Sequence, residues 1–395
     1  MKTFLTALII FVLVTAGALY FFAPPINMPI AVLRGGIDAD AELLARRIRL
    51  PDGFRFTVFA SGLDGARMMQ VTSRGDLLVT TPGTGNVHLL YRDSDRDGAA
   101  DGRLSLLSNL NRPHGIDLHG DWLYVAEIDA VGRIRFNATT RETTGQYERI
   151  ITGLPVEGRH WTRTVRVGPD GRLYIGIGSA CNACRETDPR RGSIQRASLD
   201  GRTMEPFATG LRNPVGFDWS PHDGALYATD NGRDLLGDDT PPDELNRIEP
   251  GGFYGWPAIH GFGEPDPEYV PTEDDRIDKA LEPVYGFRPH NAPLGIRFLR
   301  SGYPEAYYHD ALVALHGSWN RSEKDGYKVV RLRWSEDGTI RAHDFMTGFL
   351  VNGDVIGRPV DIAESATGEI FISDDFANAV YRVVWSGVSA RQDET

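Results

Sequence analysis

The sequence predicts an all-β chain folded as a six-bladed β-propeller, preceded by a hydrophobic N-terminal helix. A turn containing Gly or Asp, followed by an alternating apolar strand, recurs six times, at 73–91, 119–136, 169–179, 222–232, 309–320 and 366–385. This spacing suits one four-stranded blade per copy. The 44 Gly and 24 Pro residues indicate many turns between short strands. A β-sandwich with chance turns is the alternative.

The first element is an uncharged run from Phe4 to Ala23, preceded by Lys2. A run of this length can span a bilayer, and the positive end favours a cytoplasmic N-terminus. Ala16-Gly17-Ala18 would instead serve as the cleavage site of a signal peptide. Both interpretations export the rest of the chain. We therefore expect a periplasmic protein, tethered to the inner membrane by residues 4–23 if the segment is retained.

The rest of the chain divides by pattern into three parts. After the anchor or signal peptide over 1–24, we expect a linker over 25–49, the propeller over 50–386 and a C-terminal tail over 387–395. FRFTVFA, residues 54–60, is expected to supply the strand that closes the ring with the last blade. The Pro-rich segment 250–293 fills the widest gap between repeats and is expected to be a functional loop.

Charge and cysteine content exclude some classes of function. The 42 Lys and Arg residues against 54 Asp and Glu residues give a net charge of −12. With no long basic run, nucleic acid is not an expected partner. Cys181 and Cys184, the only cysteines, form a CNAC motif that in an exported protein predicts a disulfide. Arg185 follows the motif, where c-type haem attachment requires His.

Polar residues directly precede the first strand of four predicted blades. They lie in the segments 112–117, 158–163, 212–214 and 357–361, each of which contains Arg. In a propeller, the loops leading into the inner strands open onto one face, so these side chains should converge near the axis. A cationic funnel suits an anionic ligand, and a His within it can act as a base. Alternatively, each Arg caps its blade by binding backbone carbonyls.

Five segments resemble the soluble glucose dehydrogenase and sorbosone dehydrogenase family, whose members depend on pyrroloquinoline quinone (PQQ). In chain order they are RNPVGFDW, ATDNGRD, DELNRIEPGGFYGWP, HGSWNR and GRPVDI. The resemblance extends from about residue 50 to 385. It implies a six-bladed propeller that oxidises a sugar, sugar aldehyde or polyol with PQQ and Ca²⁺.

The resemblance also implies roles for named residues. His160 would be the general base that removes the substrate hydroxyl proton while hydride passes to the quinone. Arg212 would polarise a quinone oxygen. The other PQQ-binding residues it implies are Asn213, Asn231, Arg321, Arg358 and Asp374. His114, from the polar segment 112–117, is a further candidate for binding this anionic cofactor. Trp161 and Trp319 adjoin these loops, where either ring could flank a flat cofactor.

Two calcium sites are implied by the same resemblance. The backbone carbonyls of Gly232 and Arg233 would bind the ion that acts on the quinone as a Lewis acid, although the family usually has Pro at position 233. A structural ion would be held by Asp243, Glu244, Glu264 and backbone oxygens near His260 and Phe262. A solvated acidic loop is the alternative to this second site.

A third candidate calcium site is independent of the resemblance. DSDRDGAAD, residues 93–101, places Asp93, Asp95, Asp97 and Asp101 as in the start of an EF-hand loop. Leu104 stands where that loop has a bidentate Glu. The motif is therefore interpreted either as a surface calcium loop or as a plain acidic hairpin.

Two other functions stay open at this point. Calcium-dependent lactonases are also six-bladed propellers, and a non-catalytic binding propeller would share the fold. An axis rich in Arg and His favours an anionic cofactor over the carboxylate-and-Asn cage of a lactonase. The expected partners are a small sugar or aldehyde substrate and an external electron acceptor. The sequence leaves open the acceptor, the substrate and whether the chain forms a homodimer.

Overall fold

Six antiparallel sheets contain most of the strands in the computed structural model, which describes residues 26–27, 36–301 and 305–387. They form the six-bladed propeller predicted from the sequence, and that prediction is confirmed. Cys181 and Cys184 form a disulfide, as expected.

Each blade has four strands, numbered here along the chain. Blade 1 contains β2 (Met69–Val71), β3 (Leu77–Thr81), β4 (Asn86–Leu90) and β5 (Arg103–Leu107). Blade 2 contains β6 (Ile116–His119), β7 (Trp122–Ala126), β8 (Ala130–Asn137) and β9 (Glu142–Thr152). Blade 3 contains β10 (Arg163–Val167), β11 (Leu173–Ile177), β12 (Ser193–Ala197) and β13 (Met204–Thr209).

The second half of the ring repeats the pattern. Blade 4 contains β14 (Pro214–Trp219), β15 (Leu226–Asp230), β16 (Asp243–Ile248) and β20 (Tyr285–Phe287). Blade 5 contains β21 (Pro293–Phe298), β22 (Ala311–Leu315), β23 (Lys328–Trp334) and β24 (Ile340–Met346). Blade 6 contains β27 (Pro359–Glu364), β28 (Ile370–Asp374), β29 (Ala379–Trp385) and the early strand β1 (Phe54–Ala60).

Several short strands and 3-10 helices lie in the segments that connect the blade strands. The long segment between β16 and β20 contains β17 (Gly252–Phe253), which pairs parallel to β13, and the hairpin of β18 (Ile259–His260) and β19 (Glu264–Pro265). Two 3-10 helices, Glu273–Asp275 and Ile277–Lys279, follow that hairpin. Blade 5 has two smaller insertions. The 3-10 helix Glu305–Tyr307 lies between its strands β21 and β22, and the hairpin of β25 (Leu350–Val351) and β26 (Asp354–Val355) follows its last strand, β24.

The first strand of each blade lies next to the axis and contacts the first strands of the neighbouring blades. Asp117 on β6, Asp218 on β14 and Asp361 on β27 join successive blades, because each carboxylate accepts a backbone N–H from the next inner strand. The strands approach closely: a Cβ on Gly216 would lie 2.0 Å from the carbonyl oxygen of Leu294. Only Gly fits such an approach.

The hydrophobic core is divided among the interfaces between blades. Six clusters of buried apolar side chains each join one pair of neighbouring blades, and the ring contains six such pairs. The second strands are covered on both faces. For this reason β3, β11, β15, β22 and β28 are buried at every position and have near-continuous apolar sequences such as LYIGI and ALVAL.

The ring closes as predicted, because β1 pairs antiparallel with β29 from Phe54 opposite Trp385 to Ala60 opposite Val380. The Phe54 ring, 7% exposed, packs edge-on against Tyr307, Phe345 and Trp385 with ring centroids 4.9–5.2 Å apart. The closing strand therefore joins blades 5 and 6 through apolar contacts as well as through backbone hydrogen bonds.

Part of the expected linker folds onto the propeller. Helix α1 (Ala41–Arg47) is capped by the Asp40 carboxylate, which accepts the backbone N–H of Leu43, and it buries Leu44 in the core between blades 5 and 6. The backbone of Arg49 then forms an isolated antiparallel β-bridge with that of Thr347. The anchor or signal peptide expected over residues 4–23 lies outside the described residues. Within the described ranges, none of the helices has the length and apolarity needed to cross a membrane.

Substitution of Phe54 by Ala should lower the free energy of unfolding by about 3–5 kcal/mol, because it leaves a cavity among three aromatic rings in the closing seam. Urea denaturation followed by tryptophan fluorescence measures this change. Phe262→Ala is the matched control, because Phe262 is 53% exposed and should change the free energy by about 0.5 kcal/mol or less. Equal effects of both substitutions would contradict the importance of the seam.

Candidate active site

A cavity of about 750 Å³ opens on the face where the loops lead into the inner strands. This volume lies within the range of roughly 300–1,000 Å³ typical of small-ligand sites. Arg67, Arg358 and Asp375 lie in its wall and are largely buried, whereas Arg112 is exposed nearer the opening. Exposed acids from two further segments, Asp38 and Asp64, also line it.

A continuous chain of polar contacts crosses the cavity wall. Arg67 pairs with Asp375 at 2.6 Å, and the other Asp375 oxygen lies 2.8 Å from Nε2 of His316. Nη2 of Arg358 lies 3.0 Å from Nδ1 of His316. Burial raises the pKa of Asp375, but His316 and Arg67 outweigh burial and hold this pKa well below its usual range. The carboxylate is therefore ionised and fixes Arg67 and His316.

His114 contacts Arg67 through its imidazole ring. Its Nδ1 lies 3.1 Å from the carbonyl oxygen of Arg163, which can only accept, so Nδ1 carries the proton. Nε2 is then left to accept from Arg67 at 3.4 Å. Burial, followed by Arg67, lowers the pKa of His114 well below its ordinary value, which keeps the ring neutral. His114 thus contacts the cavity wall through Arg67 and is itself only 1% exposed.

Trp161 forms an aromatic side of the cavity. The Arg112 guanidinium lies over its ring at 4.1 Å, and that of Arg67 lies 5.7 Å from the ring centroid. Burial and the nearby Arg67 lower the pKa of Arg112, as expected where two cations share a site. An anion in the cavity would relieve this repulsion.

His160, beside Trp161, is oriented by Ser179. Nδ1 of His160 lies 2.9 Å from both the carbonyl oxygen and the Oγ of Ser179. Because the carbonyl can only accept, Nδ1 carries the proton and Nε2 keeps its lone pair. Burial, followed by the charge of Arg212, lowers the pKa of His160 to about 3. A neutral imidazole with a free Nε2 can accept a proton.

The loop that carries His160 is held by two buried arginines. Arg163 donates to the carbonyl oxygens of Pro155, His160 and Thr162, and Arg191 donates to those of Pro155, Glu157 and Gly178. Burial, followed by Arg191, lowers the pKa of Arg163 to about 9. For Arg163, therefore, the structure matches the alternative of an arginine that binds carbonyls rather than a ligand.

Arg212 lies next to His160 and is 4% exposed. Asp230 accepts the backbone N–H groups of both Arg212 and Asn213, which fixes the loop before β14. The guanidinium contacts Asp234 and Asn182 at 2.8 Å each. A Cβ on Gly178 would meet both Oδ1 of Asn213 and Cβ of His160, so these two side chains lie side by side.

Asn213 and Asn231 form a hydrogen-bonded pair near Arg212. Nδ2 of Asn213 donates to Oδ1 of Asn231 at 3.1 Å, and Nδ2 of Asn231 donates to the carbonyl of Pro293. Oδ1 of Asn213 is buried without a hydrogen-bond partner among the described residues. The structure thus brings the expected residues of blades 3 and 4 together.

Of the residues implied to bind PQQ, Arg358 alone is among the described residues that line the large cavity, whereas Arg212 and Asn231 line a second, smaller cavity. The proposed base His160 also lies outside the lining of the large cavity. Arg321 donates to the carbonyl oxygens of Asp238 and Pro289. Asp374 is fully buried and accepts the backbone N–H groups of Arg358, Phe376 and Ala377 and the hydroxyl of Tyr381. Asp374 therefore anchors the loop of Arg358 as Asp230 anchors the loop of Arg212.

Gly232 and Arg233 line a second cavity of about 20 Å³, together with Asp230, Glu244 and His260. Such a volume holds about one water molecule. Both ring nitrogens of His260 are buried without a hydrogen-bond partner among the described residues. The cavity therefore contains polar groups whose hydrogen-bonding capacity is not filled by the protein.

The side chain of Arg233 has a separate role. It forms a buried bidentate pair with Asp266 at 2.7 and 2.8 Å and contacts Glu268 at 2.6 Å. Arg233, which stands where the family usually has Pro, therefore holds the long segment between β16 and β20 beside the site through these two acids.

The acids expected to hold structural calcium are only partly brought together. Asp243 accepts the N–H groups of Gly232 and Ala292, and Glu244 accepts that of Gly261. Burial raises the pKa of Asp243 to about 7, and burial followed by Asp230 raises the pKa of Glu244 to about 8. Glu264 is exposed on the β18–β19 hairpin, and the small cavity is lined instead by Asp266.

The acidic motif after β4 forms a turn with three clustered carboxylates. Oxygens of Asp93, Asp95 and Asp101 lie within 4.8 Å of one another, as ligands of one cation would. Asp97 instead accepts the N–H of Ala99, and Asp93 pairs with Arg382 at 3.0 Å.

Sequence analysis did not identify four side chains that make these contacts: Arg67, Asn182, His316 and Asp375. Arg67 precedes the very short strand β2 and has no Gly or Pro motif to mark it. His316 and Asp375 each follow a second strand, β22 and β28, at corresponding places in the repeat. That position was the available signal for both.

The fold and site define a six-bladed propeller with Arg and Trp side chains around a cavity of small-ligand size. The chain belongs to the TrAA12-like family, which matches residues 48–252 and 265–386. The likeness to PQQ-dependent sugar dehydrogenases inferred from the sequence is confirmed at the level of the family.

Two relatives and one solved structure are similar to this chain. An uncharacterized protein of Borreliella burgdorferi is 30% identical over 373 residues, which cover 90% of this chain and 96% of that protein. A PQQ-dependent pyranose dehydrogenase of Coprinopsis cinerea is 25% identical and matches 85% of this chain, which spans 54% of that protein. A calcium structure of a Trichoderma reesei enzyme of family AA12 shares the fold with a TM-score of 0.75 at 20% identity, covering 86% of this chain and 97% of that one.

The lowered pKa of His160 predicts a pH-dependent cost to stability. Below the unfolded value of about 6.5, the unfolded chain binds a proton that folded His160 excludes down to a pKa of about 3. The contribution of His160 to the free energy of unfolding should therefore fall by up to ~1.4 kcal/mol per pH unit below that point. Urea denaturation of the wild-type protein and His160→Gln at pH 7.5, 6.5 and 5.5 isolates this difference. A difference that is constant with pH would contradict it.

Proposed function

We propose that the protein is a PQQ-dependent oxidoreductase that oxidises a sugar, sugar aldehyde or polyol, with His160 as the general base. The observation that carries the proposal is the convergence of Arg67, Arg112, Arg358 and Trp161 on one cavity in a TrAA12-like propeller. The name of the Coprinopsis cinerea relative, a PQQ-dependent pyranose dehydrogenase, supports the same chemistry.

The chemistry of the donors fits a flat tricarboxylate. Guanidinium groups bind carboxylates through paired, charge-assisted hydrogen bonds, and the indole of Trp161 offers an aromatic surface. Nε of Arg67 is a buried donor without a hydrogen-bond partner among the described residues. The acids Asp38 and Asp64 are exposed to solvent, where screening weakens their repulsion of an anion. Asp375 is paired with Arg67 at 2.6 Å, and the guanidinium offsets its negative charge.

The residues of blades 3 and 4 supply proton transfer and orientation. Ser179 holds the His160 ring so that Nε2 faces away from the hydrogen bond and can take the substrate hydroxyl proton. Arg212 keeps a fixed positive charge beside His160 and can stabilise negative charge that develops during the reaction. Bound PQQ would supply the acceptor for the hydride that leaves the substrate carbon.

Calcium is part of the proposal at the small cavity. Gly232 and Arg233 line it, and a divalent cation there would favour the ionised forms of Asp230 and Glu244. Burial raises the pKa of Asp230 to about 7, so without a cation both carboxyls are poorly suited to ionise. Asp93, Asp95 and Asp101 are proposed as a separate surface ion site, for which their clustering is the support.

We also propose export of the chain to the periplasm, with residues 4–23 as anchor or signal peptide. The uncharged N-terminal run supports export, and so does the Cys181–Cys184 disulfide, because disulfides persist in oxidising compartments.

Dye-coupled oxidation tests the activity. The purified protein with PQQ and Ca²⁺ should reduce an artificial electron acceptor when given aldoses, and His160→Ala should reduce kcat by roughly 10²–10⁴-fold while PQQ still binds.

EDTA should abolish turnover and lower the melting temperature, because an ion bound only by the folded state stabilises it.

His343→Ala is the control for this experiment, because His343 lies exposed on β24, away from the cavity. Dye reduction that needs no PQQ, or hydrolysis of a lactone without PQQ, would overturn the assignment. An unchanged rate in His160→Ala would remove His160 from the chemistry.

Arg358→Ala should weaken PQQ binding by roughly 10–100-fold, because one charge-assisted contact contributes about 1.5–3 kcal/mol. Fluorescence titration of the apo protein with PQQ measures the change. Arg341→Ala, an exposed substitution on β24, is the matched control. An identical titration for wild type and Arg358→Ala, with both proteins folded, would show that Arg358 does not contact the cofactor.

A further inference from the structure

The guanidinium of Arg212 is held mainly by one residue of the disulfide loop. Asn182 accepts from Nε of Arg212 through its backbone oxygen at 3.0 Å and from Nη2 through Oδ1 at 2.8 Å. It also exchanges two hydrogen bonds with the backbone of Asp234, which is the salt-bridge partner of Arg212. Asn182 therefore fixes both the arginine and its counter-ion.

An amide side chain suits this position. Oδ1 accepts from Arg212 and from the backbone N–H of Asp234, while Nδ2 donates to the carbonyl of Asp234. An Asp would lose the donor, and an Ala would lose all three contacts. The backbone oxygen of Asn182 also accepts from Nε1 of Trp256 at 3.3 Å, which braces the loop from the segment after β17.

The same loop reaches His160. Oγ of Ser179 donates to the carbonyl of Cys181 at 2.8 Å and lies 2.9 Å from Nδ1 of His160. The disulfide from Cys181 to Cys184 closes the chain on both sides of Asn182. The group that orients the proposed base and the group that holds Arg212 thus belong to one short segment, residues 179–184.

We propose that Asn182, in the loop closed by Cys181 and Cys184, is the positioning residue that sets Arg212 relative to His160. Its catalytic meaning rests on the proposed function, but the geometry does not depend on the cofactor. The disulfide acts by limiting the conformations of a loop whose backbone oxygen and side chain must both face one guanidinium.

Loss of this support should lower turnover more than sugar affinity. A displacement of about 1 Å at a catalytic group can cost roughly 100-fold in rate. Asn182→Ala should therefore reduce kcat by roughly 10–100-fold with a smaller change in KM. In an Arg212→Lys background, where the paired contacts are already lost, Asn182→Ala should have little further effect.

A measurement on the cofactor-free protein separates this inference from the proposed function. Burial, followed by the charge of Arg212, depresses the pKa of His160, so freeing the guanidinium in Asn182→Ala should let the His160 ring titrate at a higher pH, by roughly one unit. NMR of the imidazole C–H resonances, assigned with His160→Gln, follows the titration. If the wild-type protein never oxidises a sugar with PQQ, the proposed function fails, and this titration still decides the role of Asn182.

Two further variants complete the test. The double variant Cys181→Ser/Cys184→Ser should raise the pH at which His160 titrates and lower kcat, as Asn182→Ala does. If the double variant does not fold, the result for Asn182→Ala decides the test. Asn137→Ala is the matched control, because Oδ1 of Asn137 likewise accepts two hydrogen bonds, here from the backbone N–H groups of Thr139 and Thr140 in the turn after β8 of blade 2. An unchanged His160 titration in Asn182→Ala, or losses of kcat that are additive with Arg212→Lys, would overturn the proposal.

Discussion

The site depends on buried carboxylates that hold the loops leading into the inner strands. Asp230 ends β15 and binds the backbone of Arg212, and Asp374 ends β28 and binds the backbone of Arg358. Burial raises the pKa of Asp230 to about 7 and of Asp374 to about 6, because both carboxyls lie in the interior. Acids that are costly to bury are present in the same structural position in two blades, and in both they fix an arginine at the axis.

Arginine has two different uses around this axis. Arg163 and Arg191 give their donors to backbone carbonyls and shape the loop of His160. Arg67 and Arg358 contact the side chains of Asp375 and His316 in the wall of the large cavity. The first pair stabilises the loops, whereas the second pair presents cationic groups where an anion can bind. A guanidinium has five donors in a fixed plane, and this allows both uses in one fold.

The axial loops also explain why blades 3 and 4 carry the proposed proton transfer. The disulfide loop after β11 contacts His160 through Ser179 and Arg212 through Asn182. Two side chains from different blades are therefore oriented by one segment. The neutral state of His160 follows from the same closeness, because the fixed charge of Arg212 adds to the effect of burial.

The sequence by itself determined the number of blades and the closing strand, and it marked the arginine-containing loops that precede four inner strands. It could do so because strand periodicity and turn residues are local, and because RNP and GRP mark loops before inner strands. Only the tertiary structure decided which arginines bind carbonyls and which reach the cavity. Arg67 and Asp375 are 308 residues apart and meet because the ring closes. Hydrogen-bond partners of that kind depend on distances across the fold, which no local pattern encodes.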